Sequence, residues 1–237
     1  MTTAFVPGPL DGLDTDDAMP VAIRWLRSEG RPHAVLMPGL QNIEYSELLK
    51  RTVRRDEITT LRSQSRHMLS RAAAILGCWP TTDALGQLHR LAKEGKSVCI
   101  VRWSDTLEEQ AWINSTGATN LLTGEVGDHR NPVWVDPVVQ VAMRNLSGSV
   151  NLSGWHPYDE NRIKWVLLNA PRKGHPYDPD HLFEWVLTAQ LFPWDQAQQL
   201  RDLGARVREG RTFKIRYGTP YRADIWDQWR KEAEAGG

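Results

Sequence analysis

An unbroken apolar run, Val98-Cys99-Ile100-Val101, lies within the segment 97–103 and constrains the fold of this chain more than any other feature. Strands buried on both faces have consecutive apolar residues of this kind, and they occur in parallel sheets that are covered by helices. Segments 33–37 and 72–78 are also apolar, and stretches with helical periodicity separate the three segments. This alternation is typical of βαβ units. The sequence therefore predicts an α/β fold, a small, mostly parallel sheet with flanking helices.

Helix-capping residues, together with glycine and proline, which interrupt helices, predict where the helices and short strands of this first part lie. Residues 1–13 are rich in proline and glycine, and we interpret them as an extended arm. Two short strands are expected, over 58–61 and 119–122. Helices are expected over about 14–28, 45–53, 80–93 and 104–115, the third beginning at Pro80-Thr81-Thr82-Asp83 and the fourth capped by Ser104-Asp105.

The pattern changes after Gly124, where a polar connection leads into a helix-rich C-terminal portion. We expect residues 1–125 to form the sheet domain. Residues 126–237 are expected to form a helical region that packs on this domain as one compact unit. Thr212 to Tyr217 is interpreted as a strand returning to a sheet edge. The expected helices span about 136–146, 160–170, 179–189, 195–209 and 222–235.

The tetrapeptide His-Pro-Tyr-Asp occurs twice, at 156–159 and 175–178. Asp159 and Asp178 are of the residue type that caps helix N-termini, and Pro179 suits the first helical position. Tyr158 and Tyr177 then have hydrophobic-staple spacing to apolar residues in the following helices. The alternative is a divalent-metal site made by the two histidines and two aspartates. Because the spacing matches no metal motif, we favour helix initiation and predict no metal site.

Composition sets limits on the partners of the chain. Lys plus Arg and Asp plus Glu both number 29, so the overall charge favours neither nucleic acid nor an anionic membrane. Cys78 and Cys99 lie in predicted strands and do not make a disulfide framework. Neither a signal peptide nor a long apolar span is visible, so we expect a soluble cytoplasmic protein that does not contact membranes.

Residues that follow the predicted strands form the candidate ligand site. In parallel α/β sheets, ligands bind beyond the carboxyl ends of the strands, where helix N-termini also favour anions. Arg102 has the geometry for a bidentate contact with phosphate or carboxylate, and Trp79 and Trp103 can stack on a base. The alternative is that these residues only cap helices and pack beneath loops. The candidate residues are Trp79, Thr81, Thr82, Asp83, Arg102, Trp103, Ser104 and Asp105.

Catalytic motifs are not found in the sequence. Gly95-Lys96-Ser97 ends like a phosphate-binding loop, but Arg90 replaces the required first glycine and the strand and helix come in the wrong order. The sequence also lacks Gly-x-Gly-x-x-Gly and Gly-x-Ser-x-Gly. The sequence therefore identifies neither catalytic residues nor a cofactor, and it does not decide whether the chain is an enzyme.

Residues 50–71 are locally basic and suggest a second kind of partner. Clusters of arginine and lysine supply phosphate contacts to nucleic acids, although many are only solvated surface. The residues that would contact nucleic acid are Arg51, Arg54, Arg55, Arg62 and Arg66.

The leading functional prediction is a non-catalytic binding or interaction module with a crevice for a small anion or nucleotide. One alternative is an enzyme acting on a nucleotide or phosphorylated substrate at the same edge, using Arg102 with Asp83 or Asp105. Another is a nucleic-acid-associated protein that uses residues 50–71, which the balanced charge does not favour. The tail helix, which carries Trp226 and Trp229, is expected to pack on the body of the protein or on a protein partner.

Overall fold

The computed structural model describes residues 2–9, 12–61, 66–103, 105–127, 133–216, 218 and 220–236. The chain divides into two compact units, Met1–Arg130 and Asn131–Gly237. Among the described residues, every helix is too short or too polar to cross a bilayer.

The first unit contains a six-stranded sheet in which all paired strands are parallel, so the predicted α/β class is confirmed. The strand order is β3-β2-β4-β5-β1-β6. The three predicted apolar strands, β2, β4 and β5, lie side by side at its centre. The strands are β1 (Thr3–Val6), β2 (His33–Leu36), β3 (Ile58–Thr59), β4 (Ala74–Cys78), β5 (Ser97–Val101) and β6 (Thr119–Asn120).

Strand β1 corrects the prediction of an extended arm over residues 1–13. It lies between β5 and β6 and pairs with both, with Phe5 opposite Ile100 on one side and Asn120 on the other. Ala4 and Val6 are buried, whereas Thr3 and Phe5 are only partly covered. The strand has four residues and a proline follows it directly, so its apolar pattern is too short to be recognised in the sequence.

Helices cover both faces of the sheet. On one face Met19 and Leu26 of α1 and Leu49 of α2 share a buried cluster with residues from β1, β2, β4 and β5. On the other face α4 packs so closely that a Cβ atom at Gly77 would lie 2.5 Å from Leu88 Cδ1. The helices of this unit are α1 (Thr15–Ser28), α2 (Glu47–Thr52), α3 (Arg66–Arg71), α4 (Thr82–Lys93) and α5 (Leu107–Thr116).

Two helix starts differ from the prediction. Residues 45–53 were expected to form one helix, but a 3-10 helix over Leu40–Tyr45 precedes α2, whose cap is Ser46. Thr106, rather than Ser104-Asp105, caps α5 by accepting a hydrogen bond from the Glu109 backbone N–H. Ser104 lies outside the described residues. In both cases the residue directly before the helix, Ser46 or Thr106, has a side-chain hydroxyl. This hydroxyl accepts a hydrogen bond from a backbone N–H of the first turn.

The second unit is helical, as the sequence predicted. The strand expected over Thr212 to Tyr217 is wrong for residues 212–216, which form neither strand nor helix, and Tyr217 lies outside the described residues. Phe213 and Ile215 alternate with exposed Lys214 and Arg216, but this pattern alone creates no strand partner. The helices are α6 (Pro137–Ser147), α7 (Pro157–Asn169), α8 (Pro179–Thr188), α9 (Trp194–Arg208) and α10 (Ile225–Ala235).

The two His-Pro-Tyr-Asp copies begin helices in different ways. Asp178 caps α8 as predicted, accepting hydrogen bonds from the backbone N–H groups of Asp180 and His181, and Pro179 is the first helical residue. In the first copy the helix begins earlier, at Pro157, and His156 rather than Asp159 occupies the cap position. Asp159 instead accepts a hydrogen bond from the His156 N–H at 3.3 Å. The staple predicted for Tyr158 is therefore wrong, since Tyr158 lies inside the first turn.

The tail helix α10 packs within the second unit through its tryptophans. Trp226 and Trp229 are 3% and 1% exposed and meet edge to face at 5.0 Å. Trp226 also stacks on Trp165 of α7 at 5.9 Å and on the His175 ring at 6.0 Å. Both rings are buried in these contacts, so of the two expectations for the tail helix the structure shows packing on the body of the protein.

Candidate functional site

The strand order creates a topological switch point between β2 and β4. The chain leaves β2 towards β3 but leaves β4 towards β5, in the opposite direction along the sheet. Ligands of open α/β sheets bind outside the carboxyl ends of the strands at such a switch point. A shared ligand site requires that the strands ending near Met37, Cys78 and Val101 are parallel neighbours. The structure shows this arrangement.

Three aromatic side chains from the segments that follow β2, β4 and β5 meet beyond the strand ends, and we call them the aromatic cluster: Tyr45, Trp79 and Trp103. Trp79 lies edge-on to the other two, with ring centroids 5.7 Å from Tyr45 and 6.1 Å from Trp103. Tyr45 and Trp103 are 6.0 Å apart and tilted by 36°. Trp79 is buried, whereas Tyr45 and Trp103 are 58% and 48% exposed. The cluster therefore presents two aromatic surfaces to solvent, supported from below by a third ring.

Trp79 retains two unfavourable features. Its φ angle is +52°, in the left-handed region that a bulky residue rarely adopts. Its indole N–H is buried and has no hydrogen-bond partner among the residues that the structure describes. The backbone N–H of Trp79 donates to the Val101 carbonyl oxygen at 2.9 Å, which fixes the residue to the end of β5. Strain and unsatisfied polar groups of this kind concentrate at functional sites, where the surrounding structure holds them in place.

Arg102 lies near the cluster in sequence but is held internally. Its side chain is buried, and its guanidinium contacts the carboxylates of Glu109, at 3.2 Å, and Asp105. It also lies over the Phe5 ring, 6.0 Å from the centroid. One guanidinium and two carboxylates together carry a net negative charge. The structure therefore brings Trp79 and Trp103 together, but it turns Arg102 towards internal partners.

The remaining candidate residues within the described part of the chain belong to a helix start or to an ion pair. Thr81 caps α4 by accepting a hydrogen bond from the Ala84 N–H at 3.4 Å, and Thr82 and exposed Asp83 form the first turn of the helix. Asp105 is exposed and pairs with Arg102. Tyr45 is the member of the cluster that the sequence interpretation missed. A signal was present, because Tyr45 follows a strand that ends at the same edge, but we assigned it to the start of a helix.

The carboxyl edge of the sheet is mostly acidic. Four of the helices that begin there, α1, α2, α4 and α5, have acidic residues in their first turns, as the helix dipole favours, whereas α3 begins with Arg66 and has no acidic residue in its first turn. Lys50, at the end of α2, pairs with Glu44 and Glu47. The acidic residues of these four first turns disfavour a highly charged anion at the adjoining part of the carboxyl edge. The acidic first-turn residues are Asp16, Asp17, Glu47, Asp83, Glu108 and Glu109.

The basic residues proposed for nucleic-acid binding lie elsewhere on the same unit. Arg51 is exposed in the last turn of α2, and Arg54 and Arg55 are exposed after it. Arg54 pairs with Asp56 at 2.6 Å, which reduces the charge it offers to phosphate. Arg66 begins α3, and Arg62 lies outside the described residues.

The cysteines and histidines of the described residues form no site of their own. Cys78 and Cys99 are free and buried in neighbouring strands, and burial raises the pKa of both thiols. A buried thiol with a raised pKa is a poor nucleophile. Within the described ranges, no group of three or more His, Cys, Asp or Glu residues is arranged to hold a metal ion.

Comparison with known proteins adds one finding. Residues 135–230, which lie in the second unit, match a family described as a domain of unknown function (DUF1889). The match covers less than half of the chain and does not include the aromatic cluster. No curated protein and no solved structure was found to match the chain.

Proposed function

We propose that the first unit is a non-catalytic binding module that holds a nucleoside or a similar flat heterocycle at the carboxyl edge of its sheet. The observation that carries this proposal is the aromatic cluster at the switch point between β2 and β4. Exposed aromatic rings stack on nucleobases, and each stacked base contributes about 1–3 kcal/mol in single-stranded nucleic-acid complexes. The base, rather than a phosphate, is the part of a nucleotide that this edge favours.

The internal pairing of Arg102 supports the same choice of ligand. A guanidinium already contacted by Asp105 and Glu109 offers little attraction to a phosphate. Exposed Tyr45 and Trp103 remain available for stacking. Burying their apolar surface against a ring adds a favourable contribution that does not depend on charge.

Calorimetric titration with the four common ribonucleosides tests this proposal on the full chain. At least one nucleoside should bind. Trp103→Ala and Tyr45→Ala should each weaken that binding by roughly fivefold to 100-fold, the equivalent of losing one stacking contact. Trp134→Ala is the matched control, because Trp134 is 70% exposed and is not a member of the cluster. Chromatography of the recovered ligand separates binding from turnover.

Three results would count against this function. Absence of binding by every nucleoside would remove the ligand class. Equal affinities in wild type, Trp103→Ala and Tyr45→Ala would place any binding outside the aromatic cluster. Conversion of the nucleoside to a product would favour the enzyme alternative over a non-catalytic module.

A further inference from the structure

A cavity in the second unit has a lining suited to an organic anion. It measures about 400 Å³ and lies where the end of α7, the second His-Pro-Tyr-Asp copy and the end of α9 meet. Small-molecule sites typically span about 300–1,000 Å³, so this cavity is large enough for a small ligand. All its lining residues belong to the second unit.

One part of the lining is apolar and fixed in position. Leu168, Pro176, Tyr177 and Val207 contribute apolar surface. The Tyr177 hydroxyl donates a hydrogen bond to the Leu167 carbonyl oxygen at 3.1 Å, and burial raises the pKa of this phenol. Tyr177 therefore stays neutral at physiological pH and presents a ring, not a charge, to the cavity.

The rest of the lining carries positive charge without a facing carboxylate. Arg172, Arg208 and Arg211 all line the cavity, and no Asp or Glu does so. Arg208 contacts Asp178 at 2.9 Å and Arg211 contacts Glu209 at 3.1 Å. A guanidinium has five N–H donors, so one carboxylate contact leaves others for a ligand. Arg172 takes part in none of the ion pairs found within the described residues.

The geometry points to a binding site for a small organic anion with an apolar body and one carboxylate or sulfonate head. The apolar floor covers the body, and the three arginines surround the head. Arginine suits this role because its planar guanidinium binds a carboxylate or sulfonate through parallel hydrogen bonds. This site is separate from the aromatic cluster, so it does not depend on the function proposed above.

Two fluorescent probes that differ mainly in charge test this site. The probes are 8-anilinonaphthalene-1-sulfonate, which has an anionic head, and N-phenyl-1-naphthylamine, which shares its aromatic body but is neutral. The full chain should bind the sulfonate about tenfold more tightly than the amine, the difference expected for a charge-assisted contact. Arg172→Gln should remove most of this preference while leaving the affinity for the amine within about twofold.

Two further variants separate the cavity from general surface binding. Val207→Phe places a larger ring in the cavity and should weaken both probes, while circular dichroism checks that the helices remain folded. Arg230→Gln is the matched control, since Arg230 pairs with Asp227 on α10 and does not line the cavity. Equal affinity of wild type for the two probes would overturn the proposal. Sulfonate binding that neither Arg172→Gln nor Val207→Phe changes would overturn it as well.

Discussion

At the scale of single residues, His89 connects burial to pH-dependent stability. Its ring is 5% exposed within α4, and its pKa is lowered to about 4, chiefly by desolvation and also by nearby Lys93. The unfolded chain takes up a proton near pH 6.5, whereas folded His89 resists protonation until about pH 4. Over this range the unfolded state binds more protons, so acid lowers the free energy of unfolding.

We predict that His89 alone contributes a loss of about 2 kcal/mol between pH 7 and pH 5. Urea unfolding at the two pH values measures this loss. His89→Leu should unfold with a much smaller difference between the two pH values, because it has no group to protonate. His67→Leu removes an exposed histidine of the same unit and should keep the wild-type pH dependence. Equal pH dependence in wild type and His89→Leu would contradict the assignment.

Individual residues of the candidate site show which of its features could be predicted from the sequence. Trp79 and Trp103 were found because each follows an apolar strand, and parallel strands end at a common edge. Arg102 was assigned to a ligand although it has two carboxylate partners, Asp105 three positions away and Glu109 seven positions away in the first turn of α5. Which way a side chain turns at a strand end depends on tertiary partners, and periodicity contains no information on these.

At the scale of helices and strands, two helices end with the same hydrogen bonds but different residues. After α5, Gly117 has φ +61°, and the Ala118 N–H donates to the Ile113 carbonyl. After α8, Gln190 has φ +56°, and the Leu191 N–H donates to the Val186 carbonyl. Both are Schellman endings, in which glycine is the favoured left-handed residue.

We predict opposite effects from exchanging these two residue types. Gln190→Gly should stabilise the second unit by about 0.5–1 kcal/mol, because glycine removes the left-handed strain that Gln190 bears. Gly117→Gln should destabilise the first unit by about 1 kcal/mol for the converse reason. Unfolding midpoints in urea measure both changes. Gln190→Ala is the control and should resemble wild type, since alanine is strained in the same conformation. Loss of stability in Gln190→Gly would contradict the prediction.

The strands show which elements an apolar pattern in the sequence can predict and which it cannot. The central strands β2, β4 and β5 were predictable because each has at least three consecutive buried residues. Strand β1 was missed because only Ala4 and Val6 are fully buried in it, and its hydrogen bonds come from distant strands. Residues 212–216 show the opposite error, because strand-like alternation does not create a partner strand. In both β1 and residues 212–216, whether a strand forms depends on pairing with a segment that is distant in the sequence.

At the scale of the whole molecule, equal numbers of acidic and basic residues conceal a polarised first unit. Acidic residues occupy the first turns of helices at the carboxyl edge of the sheet. Basic residues occupy the last turns of the helices that lead back to the opposite edge: Arg27, Arg71, Arg90 and Lys93. Each placement is favoured by the helix dipole. In a parallel sheet all these helices run the same way, so their local preferences add to a field across the unit.

For the proposed nucleoside site at the carboxyl edge, this polarity predicts the relative affinities of adenosine, AMP and ATP. Like charges at about 4 Å repel by about 1 kcal/mol in water, so phosphates should weaken binding and ATP should bind about tenfold or more weakly than adenosine, with AMP between them. Calorimetry at low and high salt measures the series, and salt should narrow the differences by screening. Asp83→Asn should improve AMP binding while leaving adenosine binding unchanged. Tighter binding of ATP than of adenosine would mean that phosphate contacts outweigh the acidic edge, as the anion prediction from sequence required.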